Sequence, residues 1–151
     1  MRFPWRYSMI AGLDSNILCY CLDPAYPEHE DLKDMLTTLS PERRIAVNPT
    51  VIHETYHTLV FGQKWVSEEA RRRIRMMLRH PYIEFFNQTK RICEMALDLA
   101  VKYRLGGRDA LVLANLLANK VSIIYTHDQD LLSLTKISWR DLGLTFKDPL
   151  D

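Results

Sequence analysis

The sequence predicts an α/β domain with a central, mainly parallel sheet flanked by helices. Short apolar runs that fit buried strands alternate along the chain with longer segments of helical periodicity, which is the pattern of βαβ units. Polar residues follow directly on several of these runs, as they do where parallel strands end at a ligand-binding edge. A chain of 151 residues with 47 % hydrophobic and 26 % charged residues fits one globular domain with one core.

The first predicted strand covers residues 9–13 and ends at Asp14. Asp14 can cap a helix that begins at Asn16, because aspartate accepts hydrogen bonds from the free amides of a first helical turn. Residues 28–39 have the apolar spacing of one amphipathic helix, which Pro41 interrupts.

The second predicted strand is the β-branched run at residues 45–47. Asn48 and Pro49 suit the N-cap and the first position of the next helix, whose apolar stripe ends near residues 61–62. Glu54 lies off that stripe, so we expect it to face a groove beside the helix.

The second half of the chain continues the alternation. Residues 67–79 begin with acids and end with arginines, as a helix dipole favours, and residues 90–103 are a second amphipathic helix. The segment 108–118 is apolar throughout and is therefore predicted to be a buried helix. Strands are predicted at residues 82–86 and 121–125.

The remaining composition bounds location and partners. Residues 1–8 fit no periodic pattern and are expected to be an N-terminal extension of a single domain at 9–151, with no secretion signal. No apolar segment is long enough to cross a membrane. Three cysteines without a C-x-x-C pair predict buried free thiols in a reducing, cytoplasmic setting. The formal net charge of +1 means that any nucleic-acid binding must rely on local basic clusters.

Four carboxylates occupy the positions where chemistry is expected. Asp14 and Asp128 follow predicted strands, Glu54 lies on a groove-facing helix surface, and Asp109 begins the buried helix. Carboxylates drawn to one edge of a sheet repel by roughly 4 kcal/mol per close pair, so the cluster must bind protons or cations. Oxygen ligands suit Mg²⁺ or Mn²⁺, and the pattern therefore predicts a metal-dependent hydrolase.

Each acid also has an ordinary structural interpretation when it is taken alone. Asp14 and Asp109 are suitable helix caps, Asp128 is a suitable turn residue, and an exposed Glu54 would simply favour its helix. Only the ordered set of all four favours a site.

A competing pattern surrounds Glu54. The segment His53-Glu54-Thr55-Tyr56-His57 fits H-E-x-x-H, in which two histidines bind zinc and the glutamate is the base of a protease. No third-ligand motif follows it, and a protease would leave the three aspartates without a role, so the histidines are expected to be surface or groove-lining residues.

Arginines gather on the helix predicted at residues 67–79. They suit phosphates or an acidic partner, although a solvated helix face with local glutamate pairs explains most of them equally well. Arg108, directly before Asp109, is the better candidate for contact with a substrate.

Four segments together resemble the PIN-domain ribonucleases: LDSNILCY, NPTVIHETYHTL, GGRDALVLANLLANK and IIYTHDQDLLSL. The resemblance implies a three-layer fold with an acidic site at the carboxyl edge of the sheet and divalent-metal-dependent cleavage of RNA. It also implies a homodimer and, since small members are commonly toxins of toxin/antitoxin modules, an inhibitory antitoxin partner. An RNA-processing nuclease without an antitoxin and a catalytically silent RNA- or protein-binding domain are the alternatives.

By position, the resemblance assigns the family's acids to the four carboxylates. Asp14, Asp109 and Asp128 are expected metal ligands, with Asp130 as the alternative to Asp128, and Glu54 completes the catalytic set. Ser15, Asn16 and Thr126 are the expected neighbouring hydrogen-bonding groups. The histidines that flank Glu54 depart from the family pattern.

Overall fold

The computed structural model describes residues 9–151, and the predicted extension at residues 1–8 lies outside the described residues. The strands are β1 (Met9–Leu13), β2 (Arg43–Val47), β3 (Ile83–Phe85), β4 (Ile123–Tyr125), β5 (Lys136–Trp139) and β6 (Leu142–Lys147). The helices are α1 (Ser15–Leu22), α2 (His29–Leu32), α3 (Asp34–Thr37), α4 (Pro49–His57), α5 (Ser67–Leu78), α6 (Lys90–Tyr103), α7 (Gly107–Ala118) and α8 (Gln129–Leu134). A π-helical turn, Thr58–Gly62, extends α4.

The strands form a six-stranded sheet in the order β3-β2-β1-β4-β6-β5. All neighbours are parallel except β5, which runs antiparallel to β6. β1 lies between β2 and β4, so residues that follow these three strands meet at the middle of the carboxyl edge. The predicted α/β class with a mainly parallel sheet is confirmed.

The observed elements differ from the predicted ones in two places. The helix expected at residues 28–39 is divided at Lys33 into α2 and α3, and apolar spacing did not reveal the break because Leu32 and Met35 remain buried on both sides of it. The C-terminal elements α8, β5 and β6 were not predicted, since their runs are short and lack strong periodicity.

The helix α7 packs against the sheet at its centre, as its apolar sequence predicted. Leu113, Leu116 and Leu117 are buried completely or nearly so. A Cβ added at Gly12 of β1 would lie 2.6 Å from a methyl carbon of Leu116, so glycine is what allows the helix to approach this closely. The contact fixes α7, which carries Asp109, beside the strand that precedes Asp14.

Two further expectations concern thiols and membranes. Cys19 and Cys21 are buried free thiols, and burial raises the pKa of each to about 12, so both stay protonated. Cys93 is free but exposed. Within residues 9–151, the helices are too short or too polar to cross a bilayer.

Candidate active site

Asp14 is held at the end of β1 by hydrogen bonds to both carboxylate oxygens. The amide of Ser15 donates to Oδ1 at 2.9 Å, and the hydroxyl of Thr126 donates to Oδ2 at 2.8 Å. Thr126 follows β4 and is completely buried. Because β1 and β4 are adjacent, Thr126, directly after β4, fixes the carboxylate of Asp14, directly after β1.

The same threonine also connects to Asp128. The amide of Asp128 donates to Thr126 Oγ1 at 3.1 Å, while Asp128 Oδ1 accepts from the amides of Asp130 and Leu131 and so caps α8. Asp128 therefore does bind nearby backbone amides, as its interpretation as a turn residue predicted. Its charge nevertheless acts on Asp14 and Asp109. Asp130 lies in the first turn of α8 and is exposed.

Glu54 lies on α4 and faces the start of α7. Its Oε2 is 3.6 Å from Nη1 of Arg108, and the Glu54 side chain is 24 % exposed whereas that of Arg108 is 79 % exposed. An exposed partner neutralises a half-buried acid only weakly, since water screens the pair. The predicted groove-facing position of Glu54 is what brings it to α7.

Asp109 lies in the first turn of α7 and is half-buried. The N-cap position is Gly106, and no side-chain cap hydrogen bond is present there. The cap interpretation of Asp109 is therefore wrong, whereas Asp14 does cap α1 as expected. Asp109 instead faces other carboxylates.

The pKa values of three acids are raised, by burial first and then by the charges of other carboxylates. Burial raises the pKa of Asp14 most, two hydrogen bonds lower it, and the charge of Asp128 raises it again. Burial followed by the charge of Asp14 raises the pKa of Glu54, with Asp109 adding to the effect and Arg108 opposing it. For Asp109 the causes are burial, then Asp14, then Asp128, against Arg108, with a last contribution from Asp130.

The donor set fits a hard divalent cation. The converging groups are carboxylates, which prefer Mg²⁺ or Mn²⁺ over softer metals, and their net repulsion is the condition that a cation relieves. Among residues 9–151 no three acidic, histidine or cysteine side chains are already at ligand spacing. Mg²⁺ keeps several waters and takes only one or two carboxylates directly, so a tight preformed cage is not required of such a site.

The histidines beside Glu54 do not join the cluster. His53 and His57 are both exposed on α4, and the His57 ring packs on Phe61 with centroids 4.9 Å apart. Glu54 faces Asp14 and Asp109 instead. The zinc-protease pattern therefore has no supporting geometry in the described part of the chain.

Ser15 and Asn16 are the two predicted supporting residues other than Thr126. Ser15 contributes its backbone amide to Asp14, as described above, whereas its hydroxyl makes no hydrogen bond that the structure shows among the described residues. The side-chain oxygen of Asn16, two residues after Asp14, is buried and has no hydrogen-bond partner within residues 9–151. A buried acceptor without a donor is costly, and it fits a site that receives a ligand.

The comparisons with known proteins identify the family of this chain. The sequence matches the PIN domain over residues 12–137, which is most of the chain and includes all four acids. The chain belongs to the PIN domain family. No curated protein sequence matches it.

Solved structures share the PIN fold with this chain at low sequence identity. VapC20 of Mycobacterium tuberculosis, a sarcin-ricin loop cleaving toxin, is similar with a TM-score of 0.68 and 15 % identity, covering 82 % of this chain and 94 % of that one. VapBC2 of Rickettsia felis, bound to a DNA fragment from its promoter, is similar with a TM-score of 0.66 and 16 % identity, covering 93 % of this chain and 98 % of that one. VapBC-1 from nontypeable Haemophilus influenzae is similar with a TM-score of 0.61 and 18 % identity, covering 95 % of this chain and 100 % of that one.

One polar pair beside this PIN-domain site was not predicted from sequence. His127 Nδ1 lies 2.7 Å from Oδ2 of Asp148, a carboxylate only 5 % exposed that follows β6. The strand β6 was itself missed, so no sequence signal placed Asp148 next to the segment that contains Thr126 and Asp128.

Proposed function

We propose that this protein is a divalent-metal-dependent endoribonuclease. The observation that carries the proposal is the gathering of acids at the carboxyl edge of a PIN-domain sheet, where Thr126 bonds to Asp14 and Asp128, and where burial and the charge of Asp14 raise the pKa values of Glu54 and Asp109. Such a cluster is costly without a cation, and a phosphodiester is a substrate whose hydrolysis a hard cation assists.

The residues divide the work according to their surroundings. Asp14 and Asp109 would hold Mg²⁺ or Mn²⁺. Asp128 would be a further ligand, because its charge raises the pKa of both. Asp130 is a weaker candidate, because it is exposed and makes only the smallest of the contributions to the pKa of Asp109. The bound ion would lower the pKa of water and offset charge on the phosphate. Glu54, with its raised pKa, is suited to accept the proton of the attacking water.

The test compares RNA cleavage by the parent and by Asp14→Asn with saturating Mn²⁺. We expect metal-dependent cleavage of single-stranded RNA by the parent and a loss of at least a hundredfold in the variant, because one carboxylate ligand is removed. Asp98→Asn, on the exposed face of α6, is the matched control and should cleave normally. Activity of Asp14→Asn within about tenfold of the parent, or ~1.4 kcal/mol of barrier, would contradict a ligand role.

We further propose that the protein is the toxin of a toxin/antitoxin pair, in keeping with the toxin–antitoxin assemblies among its structural neighbours. A groove of about 420 Å³ between α4 and α5 offers a surface for the antitoxin. Ile52, Tyr56 and Ile74 contribute apolar side chains to it, and Arg71 and Arg75 line it together with one acid, Glu68. An amphipathic acidic helix complements such a groove.

Purification with the product of the adjacent small gene tests this second proposal. The partner should bind tightly and suppress cleavage, and Arg71→Glu with Arg75→Glu should weaken binding while leaving cleavage unchanged. Arg72→Glu is the control, because Arg72 is on the same helix but does not line the groove. Cleavage without any inhibitory partner would favour an RNA-processing enzyme, and absence of cleavage with every metal and RNA would favour a silent binding domain. Mass measurement of the same sample tests the expected homodimer.

A further inference from the structure

A buried polar network joins α4 to α7 at a distance from the acids. Asn48 and Asn115 are 1 % and 0 % exposed, and Asn48 Nδ2 donates to Asn115 Oδ1 at 3.3 Å. The Asn115 amide nitrogen in turn donates to the carbonyl of Phe86 at 3.0 Å, to that of Asn87 at 3.2 Å and to Gln88 Oε1 at 2.9 Å. Two asparagines with no access to water therefore tie two helices and the loop before α6 together.

The network closes on itself. Gln88 Nε2 donates to the hydroxyl of Thr50 at 3.1 Å, which returns the chain of hydrogen bonds to the first turn of α4. Asn48 Oδ1 accepts from the amide of Val51 as the helix N-cap, so the amide group of Asn48 must present its nitrogen to Asn115. Asn115 must then present its oxygen to Asn48 and its nitrogen to the loop. The bond to Val51 fixes the orientation of the Asn48 amide group, which in turn fixes that of the Asn115 amide group.

Each of the two asparagines lies six residues along the chain from an acid of the candidate site. Asn48 precedes Glu54 by six residues on α4, and Asn115 follows Asp109 by six residues on α7. Six helical residues span roughly 9 Å. The helices thus meet at two levels: at one level the asparagines bond, and at the other Glu54 lies 3.6 Å from Arg108, the residue before Asp109.

At the level of the acids the contact is repulsive, because Asp109 raises the pKa of Glu54 and only an exposed arginine opposes it. Repulsion alone would separate the ends of the helices. We propose that Asn48 and Asn115 are positioning residues, which fix the start of α4 against α7 and thereby the placement of Glu54 relative to Asp109 in the candidate metal site. This inference rests on the proposed nuclease function and assigns it a supporting pair that touches neither the ion nor the substrate.

Asn48→Ser tests the pair while keeping the helix. Serine caps a helix about as well as asparagine, but its side chain is too short to reach Asn115. The matched control is Asn119→Ser, the same substitution at a residue whose side chain donates to the Asn115 carbonyl at 2.8 Å and so bonds only within the end of α7. Urea unfolding of both variants shows whether each remains folded at the assay temperature.

The decisive measurements are the Mg²⁺ concentration for half-maximal RNA cleavage and the Mg²⁺ affinity from calorimetry. Asn48→Ser should raise the half-maximal Mg²⁺ concentration and the Mg²⁺ dissociation constant by on the order of tenfold or more, as loss of a supporting partner commonly does, whereas Asn119→Ser should leave both within about twofold. In an Asn115→Leu background, Asn48→Ser should add less than about twofold, because the bond is already absent.

The outcomes separate this inference from the function on which it rests. Equal Mg²⁺ dependence of Asn48→Ser, Asn119→Ser and the parent, with cleavage intact, overturns the positioning role alone. A parent that binds Mg²⁺ but does not cleave RNA overturns the nuclease function, and calorimetry then still decides the positioning role. A parent that neither binds Mg²⁺ nor cleaves overturns both.

Discussion

Replacing Glu54 by glutamine should make the metal-free protein more stable, although it removes a residue proposed to act in catalysis. Glu54 is repelled by Asp14 and Asp109 and attracted by Arg108. A pair of carboxylates on the order of 8 Å apart repels by about 2 kcal/mol at an effective dielectric near 20, and an exposed ion pair returns only ~0.2–1 kcal/mol. With screening by salt, we expect a net gain of about 1 kcal/mol in the free energy of unfolding.

The gain should be visible in thermal unfolding at pH 7.5 with a chelator present. About 1 kcal/mol raises the midpoint of a domain of this size by roughly 2–4 °C. Glu94→Gln is the control, because Glu94 is exposed on α6 and its substitution should change stability by less than ~0.5 kcal/mol. Glutamate and glutamine have nearly equal helix propensities, so the comparison isolates charge.

The pH dependence follows from the direction of the pKa shift. Because the pKa of Glu54 is raised in the folded state, that state binds its proton first as the pH falls, and the repulsion is relieved before unfolding would relieve it. The advantage of Glu54→Gln should therefore be complete at neutral pH and disappear below about pH 4, where the acid is protonated in both states. A variant that is less stable than the parent at pH 7.5, or equally stable at every pH, would refute the reasoning that Glu54 belongs to a repulsive cluster.

Three further outcomes follow from the same geometry. Thr126→Val should cost about 2–4 kcal/mol in urea unfolding, because the Asp14 carboxylate and the Asp128 amide each lose a buried partner, and Thr126→Ser should recover most of it. Gly12→Ala should cost about 1–3 kcal/mol through the contact with Leu116, and less in a Leu116→Val background; an equal cost in both would show that the crowding is not at that methyl group. Mg²⁺ should raise the thermal midpoint of the parent at pH 7.5 but not at pH 4, where protons replace the ion, and a rise of equal size at both would place the ion elsewhere.

The predicted elements that the structure confirms are those with strong local signals. The strand at residues 9–13, the Asn48 cap with Pro49 after it, and the apolar helix before residue 118 were found with little change of bounds, because caps and periodicity act within a few residues. The division of the helix at residues 28–39 and the strands β5 and β6 were not found. Their formation depends on packing against the sheet rather than on their own sequence.

The candidate site shows the same division. The identities of Asp14, Glu54, Asp109 and Asp128 came from sequence patterns and the resemblance to PIN-domain ribonucleases, and their position after strands indicated a common edge. Thr126 was expected beside the acids, but its bonds to both Asp14 and Asp128 were not predicted, and the bond between Asn48 and Asn115 carried no sequence signal.

The sequence by itself determined the α/β class and the family, and it predicted the acids of the candidate site, because each depends on local propensity or on an ordered motif. Only the tertiary structure decided that Asp109 is no helix cap and that Glu54 faces α7 rather than its histidine neighbours. Only the tertiary structure, too, joined α4 to α7 through asparagines 67 positions apart. Burial and charge repulsion act between residues that the fold brings together, and the sequence of a single segment does not determine the distances between them.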